Sequence, residues 1–229
     1  MIDIAVNYAQ VCAQITTAAQ RSGRRLEEIT IVCAAKTKGP EAVRAVLAAG
    51  ATDIGENYVQ EARDKIALVP DPVRWHLIGH LQRNKAKEAM RLFSLIHSLD
   101  SVALAQELQK QAVKLGTTVQ TLIEVNLGGE HTKSGIAPEY IEELLTAVSA
   151  LPAVHVKGFM TIPPPGPDAE TSRPYFRTLA RLREQYAQYQ GSNIKLCELS
   201  MGMTDDYQVA IEEGATIVRI GRAIFGERQ

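Results

Sequence analysis

A lysine stands directly after an apolar, strand-like run near the start of the chain. Residues 29–35 are typical of a strand, and Lys36 follows them just before a turn at Gly39 and Pro40. A lysine in this place can be a solvated residue at a strand end. If a site holds the side chain in its neutral form, the amine instead becomes a nucleophile that attacks carbonyl carbon atoms. The position of Lys36 alone leaves both interpretations open.

Two segments late in the chain could bind phosphate. "SMGMT" begins at Ser200 and "RIGRA" begins at Arg219, and each follows an apolar strand-like run. The hydroxyls of Ser200 and Thr204 and the backbone N–H groups near Gly221 could together surround a phosphate. Either segment alone is an ordinary turn between a strand and a helix. Phosphate often binds after the last two strands of a parallel barrel. Because both segments are present in those places, a phosphate site and a pair of ordinary turns are equally supported.

A nucleophilic lysine and a phosphate site in one pocket point to a phosphorylated aldehyde. Pyridoxal 5′-phosphate (PLP) is the cofactor of this kind, since a lysine amine holds its aldehyde as a Schiff base. Arg219 lies beside the predicted phosphate site and is the candidate partner of the pyridine nitrogen. An arginine does not give up its proton, so it would leave this nitrogen unprotonated. The cofactor would then be a weak electron sink.

The elements that must position these residues alternate along the chain. After a predicted helix over residues 2–21, apolar runs alternate with segments that have helical spacing and end on glycine or proline. The runs cover residues 29–35, 52–55, 73–79, 92–99, 118–126, 154–162, 194–200 and 216–220. This order predicts an α/β protein, a single-domain (β/α)₈ TIM barrel over residues 1–229 with an extra N-terminal helix. A doubly wound open sheet would give a similar alternation and remains an alternative.

Composition limits the possible partners and compartments. The chain has 229 residues, of which 45% are hydrophobic, and this is enough for one sizeable core. Its 25 basic and 26 acidic residues nearly cancel, so we expect no nucleic-acid partner. The sequence shows no signal peptide, and no apolar run is long enough to span a membrane. The three cysteines have no paired spacing, so we expect a cytoplasmic protein.

Several polar residues have simpler interpretations. Lys38 follows Lys36 by two residues, and we interpret it as a surface residue. His76 and His80 have the spacing of a zinc pair, but no third ligand stands at a recognisable distance, so we expect no metal. We interpret His76 as a residue that lines the pocket or is hydrogen-bonded in the core. Lys133, in the glycine-flanked "HTKSG" region, is a rival lysine for the cofactor.

The sequence resembles the pyridoxal phosphate homeostasis proteins, which share the barrel of the alanine racemase N-terminal domain. The matching motifs run from about residue 30 to the end of the chain: "AAKTK", "GENYVQEA", "WHLIGHLQRNK", "KSGI", "GFMTI", "LSMGMTDD" and "VRIGRAIFG". The resemblance implies that Lys36 carries PLP, that Arg219 faces the pyridine nitrogen, and that Asn57 lines the cofactor face. The phosphate contacts that it implies are Ser200, Met201, Gly202, Gly221 and Arg222. Arg222 replaces a threonine found in some members, which removes one hydroxyl from the phosphate site.

Three classes of function can be compared. The resemblance implies a protein that buffers or carries PLP for vitamin B6 and amino-acid homeostasis without substantial turnover, with PLP-dependent apo-enzymes as possible recipients. The shared barrel also suggests an amino-acid racemase, whereas His76 and His80 alone suggest a metal-dependent hydrolase. Racemisation needs a second base opposite the lysine, which in alanine racemase is a tyrosine from a second domain of the partner subunit. Only three residues follow Gly226, so we expect no such domain, a monomer, and a carrier rather than a racemase.

Overall fold

Eight parallel strands pair in chain order, and the last strand pairs with the first, so that the sheet closes into a barrel. We describe this protein from a computed structural model, over residues 2–69, 72–130 and 134–227. The strands are β1 (Thr30–Ala34), β2 (Asp53–Glu56), β3 (Arg74–Leu77), β4 (Leu95–Leu99), β5 (Val119–Glu124), β6 (Val154–Met160), β7 (Ile194–Ser200) and β8 (Ile217–Ile220). Each strand overlaps a run predicted from the sequence, and only β2 extends beyond its run, by the single residue Glu56. Closure confirms the predicted TIM barrel and excludes the open sheet.

Helices follow the strands and cover the outside of the barrel. They are α1 (Ile4–Arg21), α2 (Pro40–Ala48), α3 (Val59–Ile66), α4 (Ala86–Leu92), α5 (Val102–Leu115), α6 (Ile141–Ser149), α7 (Arg173–Gln185), α8 (Tyr207–Glu212) and α9 (Arg222–Phe225). The predicted extra helix is α1, which packs against α2, α8 and α9. Among the described residues, no helix has both the length and the apolar character needed to cross a membrane.

Local sequence signals set the ends of these helices. In α5, the Ser101 hydroxyl accepts a hydrogen bond from the N–H of Leu104, and Gly116 ends the helix in the left-handed conformation. Such capping groups satisfy backbone groups that have no partner inside the helix. Most apolar side chains of the helices are then buried against the sheet or against neighbouring helices. In α6, the fully buried residues are Ile141, Leu144, Leu145 and Val148.

Candidate functional site

A cavity of about 540 Å³ opens at the carboxyl ends of the strands, where active sites of parallel barrels lie. Its volume is within the range of sites that bind cofactors and other small molecules. Four cationic residues line it: Lys36, Lys38, Arg219 and Arg222. The two acidic lining residues are Asp205 and Glu227, and the apolar ones include Ala34, Ile78, Ile162, Met203 and Phe225. The excess of cations favours an anionic ligand.

Six of the residues predicted from the sequence meet in this cavity. They are Lys36, Asn57, Thr204, Arg219, Gly221 and Arg222. The backbones of Asn57 and Gly79 lie in close contact and hold each other in place. A Cβ atom on residue 79 would be only 2.4 Å from the Asn57 carbonyl oxygen, so only glycine fits there. The Oδ1 atom of Asn57 is buried, and none of the described residues donates a hydrogen bond to it. An unpaired buried acceptor is costly, so a donor on a ligand would be favourable here.

Lys38 was interpreted as a surface residue, and this interpretation is wrong. It lines the cavity, and its Nζ atom donates to the carbonyl oxygens of Phe225 at 3.0 Å and Glu227 at 3.1 Å. The reason is the backbone at Thr37, whose φ of +65° ends the strand alternation that would have put Lys38 on the other face. The Lys38 ammonium therefore holds the chain after α9 against the cavity.

Arg219 is the central polar residue of the cavity wall. Only 3% of it is exposed, and its guanidinium donates to the Ser200 hydroxyl at 2.6 Å and to the Thr161 carbonyl oxygen at 2.8 Å. Burial lowers the pKa of Arg219 to about 10, while the Glu124 and Asp206 carboxylates oppose this shift. Arg219 therefore stays protonated at neutral pH and can only donate hydrogen bonds.

A hydrogen-bonded chain runs from Arg219 into the barrel interior. The Ser200 hydroxyl lies 2.9 Å from His97 Nδ1, and His97 Nε2 lies 3.0 Å from His76 Nδ1. His76 Nε2 lies 2.8 Å from Asp53 Oδ1, and Arg74 Nε donates to the same oxygen at 2.7 Å. Because these side chains come from β2, β3, β4, β7 and β8, the chain crosses the inside of the barrel.

Burial and neighbouring charges set the protonation states of His97 and Asp53 in this series of hydrogen bonds. Burial, together with the neighbouring His76 and Arg219, holds the pKa of His97 well below its usual value, so His97 is neutral. Burial alone would raise the pKa of Asp53, but hydrogen bonds from His76, Arg74 and Thr52 lower it well below the usual value. The Arg219 cation and the Asp53 anion therefore lie at the two ends of this series of hydrogen bonds. This arrangement holds the Arg219 guanidinium in place.

His76 and Ser200 lie behind the cavity lining, and His76 takes the second of its two predicted places, hydrogen-bonded in the core. Both are buried, and their polar atoms are used within the chain of hydrogen bonds that ends on Arg219. His97, which sequence analysis missed, joins them. It lies inside the apolar-looking run "LIHSL", and only the closed barrel brings it next to Ser200 and His76.

Met201 and Gly202 also lie behind the cavity wall rather than in it. Met201 is fully buried, and Gly202 has a φ of +92° and no room for a Cβ atom, which would lie 2.6 Å from Ala210. The left-handed turn at Gly202 brings the next residues to the cavity instead. These residues are Met203, Thr204 and Asp205. The Thr204 hydroxyl accepts from the N–H of Ala223 at 3.4 Å, which joins the loop after β7 to α9.

The remaining candidates lie elsewhere. His80 pairs with Asp100, with 3.2 Å between Nδ1 and Oδ2. Within the described ranges, no group of three or more histidine, cysteine, aspartate or glutamate residues is placed to hold a metal ion. Lys133, the rival lysine, lies outside the described residues.

Comparison with known proteins identifies the family to which this chain belongs. The family model of the alanine racemase N-terminal domain matches residues 6–229. The chain is 46% identical over 222 residues to a pyridoxal phosphate homeostasis protein of Aquifex aeolicus, and the match covers 96% of each chain. It is 43% identical over 229 residues to the protein of the same name in Pseudomonas aeruginosa, covering 100% of this chain and 97% of that one.

A solved structure agrees with the sequence comparison. PipY of Synechococcus elongatus PCC7942, determined with PLP bound, superposes with a TM-score of 0.85 at 34% identity, covering 97% of this chain and 100% of PipY. The resemblance inferred from the motifs is thus confirmed. The chain belongs to the family of pyridoxal phosphate homeostasis proteins, which share the fold of the alanine racemase N-terminal domain.

Proposed function

We propose that this protein binds PLP in the cavity at the carboxyl ends of its strands and buffers or carries it without substantial turnover. The observation that carries the proposal is that one cationic cavity contains both Lys36 and the buried Arg219 guanidinium. The relatives named pyridoxal phosphate homeostasis protein and the PLP-bound PipY structure support it. In this proposal the chain from residue 1 to residue 229 is one PLP-binding domain.

The residues of the cavity fit this cofactor. When bound, PLP supplies an aldehyde that condenses reversibly with a lysine amine. Lys36 would provide the amine, and Arg219 would donate to the pyridine nitrogen. Thr204, the backbone at Gly221 and the Arg222 cation lie around the same cavity and would hold the phosphate. Asn57 offers its unpaired Oδ1 atom to a donor on the cofactor.

The proposed lack of turnover follows from Arg219. A guanidinium that stays protonated can donate to the pyridine nitrogen but cannot give that nitrogen a proton, so the ring remains a weak electron sink. Carbanion formation at a bound amino acid would then gain little stabilisation. An open, cationic cavity with these properties suits storage and release of PLP better than catalysis.

We expect the PLP-loaded protein to leave amino acids unchanged. It would be incubated with L- and D-alanine, serine and glutamate, while optical inversion and exchange of the α-proton into deuterated water are followed. Without electron withdrawal by a protonated ring, neither signal should rise above that of free PLP. Steady inversion of any of these amino acids, lost in Lys36→Ala, would instead show the racemase that the shared barrel suggests.

Replacing Arg219 by glutamate should change the electronic state of the bound cofactor. A carboxylate beside the pyridine nitrogen favours the protonated ring, so the absorbance spectrum of the bound PLP and its pH response should shift. Arg219→Gln is the matched control, because it removes the charge without adding an acid. An unchanged titration of Arg219→Glu with PLP still bound would show that Arg219 does not face the nitrogen, and far-ultraviolet circular dichroism would verify folding.

The proposal also covers the recipients of PLP, the oligomeric state and the cellular compartment. PLP-dependent apo-enzymes are the proposed recipients, and their reconstitution faster than free PLP is released would support direct delivery. We propose a monomer in the cytoplasm. Three free cysteines, Cys12, Cys33 and Cys197, support a reducing compartment, where disulfides are rare. Gel filtration of the PLP-loaded protein would test the monomeric state.

A further inference from the structure

The peptide on both sides of Lys36 is held by a cluster of charged residues outside the cavity lining. Lys65 on α3 is 5% exposed, and its Nζ atom donates to the carbonyl oxygen of Ala35 at 2.9 Å. The same atom contacts Glu56 Oε1 at 2.5 Å and Glu61 Oε1 at 3.2 Å. A buried ammonium with three acceptors is strongly oriented, so it fixes the carbonyl group that precedes Lys36.

Glu61 holds the other side of Lys36. Its Oε1 atom accepts a hydrogen bond from the N–H of Thr37 at 2.7 Å. Across the described ranges, Thr37 is the only residue other than glycine with a positive φ, at +65°. This conformation is unfavourable for a β-branched residue and persists only where the surroundings impose it. The hydrogen bond to Glu61 is a contact that imposes it here.

The consequence concerns the direction of the Lys36 side chain. Lys36 lies between the held carbonyl of Ala35 and the held N–H of Thr37, and it lines the cavity. Glu61 itself is partly exposed and does not line the cavity, so it acts on Lys36 only through the backbone at Thr37. The backbone conformation at Thr37 therefore determines the direction of the Lys36 side chain, and Glu61 stabilises that conformation.

We propose that Glu61, oriented by Lys65, is a positioning residue for the Lys36 amine. This inference rests on the proposed function, because it assumes that Lys36 attacks the PLP aldehyde. Neither Glu61 nor Lys65 touches the cofactor in this proposal. Their effect is on how often the amine is in position to react, and not on how tightly the phosphate and ring are bound.

The test compares Glu61→Ala with Glu61→Gln. Glu61→Ala removes the acceptor of the Thr37 N–H, so the rate of Schiff-base formation at Lys36 should fall roughly tenfold or more, as expected when a reacting group is misplaced. Glu61→Gln keeps an acceptor and should recover most of the rate. The rate is read from absorbance after mixing with PLP, and the site is verified by borohydride reduction and peptide mapping.

Two further measurements separate positioning from general damage. Pyridoxine 5′-phosphate has an alcohol in place of the aldehyde, so its affinity should be the same in the wild-type protein and in both variants. In the protein without PLP, amide hydrogen exchange at Thr37 should accelerate in Glu61→Ala and not in Glu61→Gln. Glu107→Ala is the matched control, since the Glu107 side chain is 26% exposed and that of Glu61 is 28% exposed.

The possible outcomes are distinct. If Glu61→Ala forms the Schiff base at the wild-type rate, Glu61 does not position Lys36, whatever the exchange at Thr37 shows. A slower rate that Glu61→Gln fails to recover would also overturn the proposal. If the wild-type protein fixes no PLP on Lys36, the proposed function fails as well, and this result is recognised before any variant is compared.

Discussion

Replacing Lys36 by alanine should eliminate covalent attachment at the end of β1 and lower the affinity for PLP at least about tenfold, since each lost contact of about 1.4 kcal/mol weakens binding by that factor. The Schiff base disappears with the amine, but the cations Arg219 and Arg222 still line the cavity and still attract the phosphate. Binding should therefore weaken rather than vanish. The absorbance of the protein mixed with one equivalent of PLP, followed by borohydride reduction and peptide mapping, measures both effects.

Lys38→Ala is the matched control for this experiment. Lys38 lines the same cavity, but its Nζ atom is held by the carbonyl oxygens of Phe225, Gly226 and Glu227. This variant should keep the label on the Lys36 peptide at near wild-type yield. A label found in the wild-type protein only on Lys38 or on Lys133 would contradict the assignment of Lys36.

The barrel could be predicted because its signals are local. Each strand lies in a short, mostly apolar run, and each intervening segment has helical spacing with its own end signals. The strand ends also indicated the cavity, and Lys36, Asn57, Arg219, Gly221 and Arg222 do meet there. In a parallel barrel the carboxyl ends of all strands converge at one end. Residues far apart in sequence can therefore be predicted to be neighbours even when the strand register is not known.

The features that the sequence did not predict have a common physical reason. Lys38 reaches the cavity because Thr37 adopts a left-handed conformation, which no pattern in "AAKTKG" signals. Ser200 turns into the barrel because its partners, His97 and Arg219, lie on β4 and β8. Both features depend on contacts between distant segments. Such contacts override the local preferences that a sequence pattern records.

The buried pair of Lys65 and Glu56 belongs to the same class of unpredictable contacts, and it leads to the largest stability effect that we expect. Lys65→Met should lower the free energy of unfolding by roughly 3–5 kcal/mol, the usual result when one partner of a buried ion pair is removed. Glu56 is fully buried, its Oε1 atom lies 2.5 Å from Lys65 Nζ, and its Oε2 atom has no partner among the described residues. Without Lys65 the Glu56 carboxylate would be left with no counter-ion.

This destabilisation should depend on pH. Burial raises the pKa of Glu56 to about 7 even though Lys65 opposes the shift, so loss of Lys65 raises the pKa further. A raised pKa means that the folded state binds more protons than the unfolded state, so stability is greatest at low pH and falls as pH rises through the folded value. The deficit of Lys65→Met relative to wild type should therefore be larger near about pH 8.5 than near about pH 6. Urea unfolding at both values measures it.

A second substitution separates loss of the charge pair from loss of packing. In Lys65→Met with Glu56→Gln, no buried carboxylate remains, so part of the stability should return and the added pH dependence should disappear. Lys110→Met is the surface control, because Lys110 pairs with Glu107 with its side chain 59% exposed, and it should change stability by less than about 0.5 kcal/mol. A pH-independent loss in Lys65→Met, unrelieved by Glu56→Gln, would mean that Lys65 acts through packing and its bond to Ala35 rather than through Glu56.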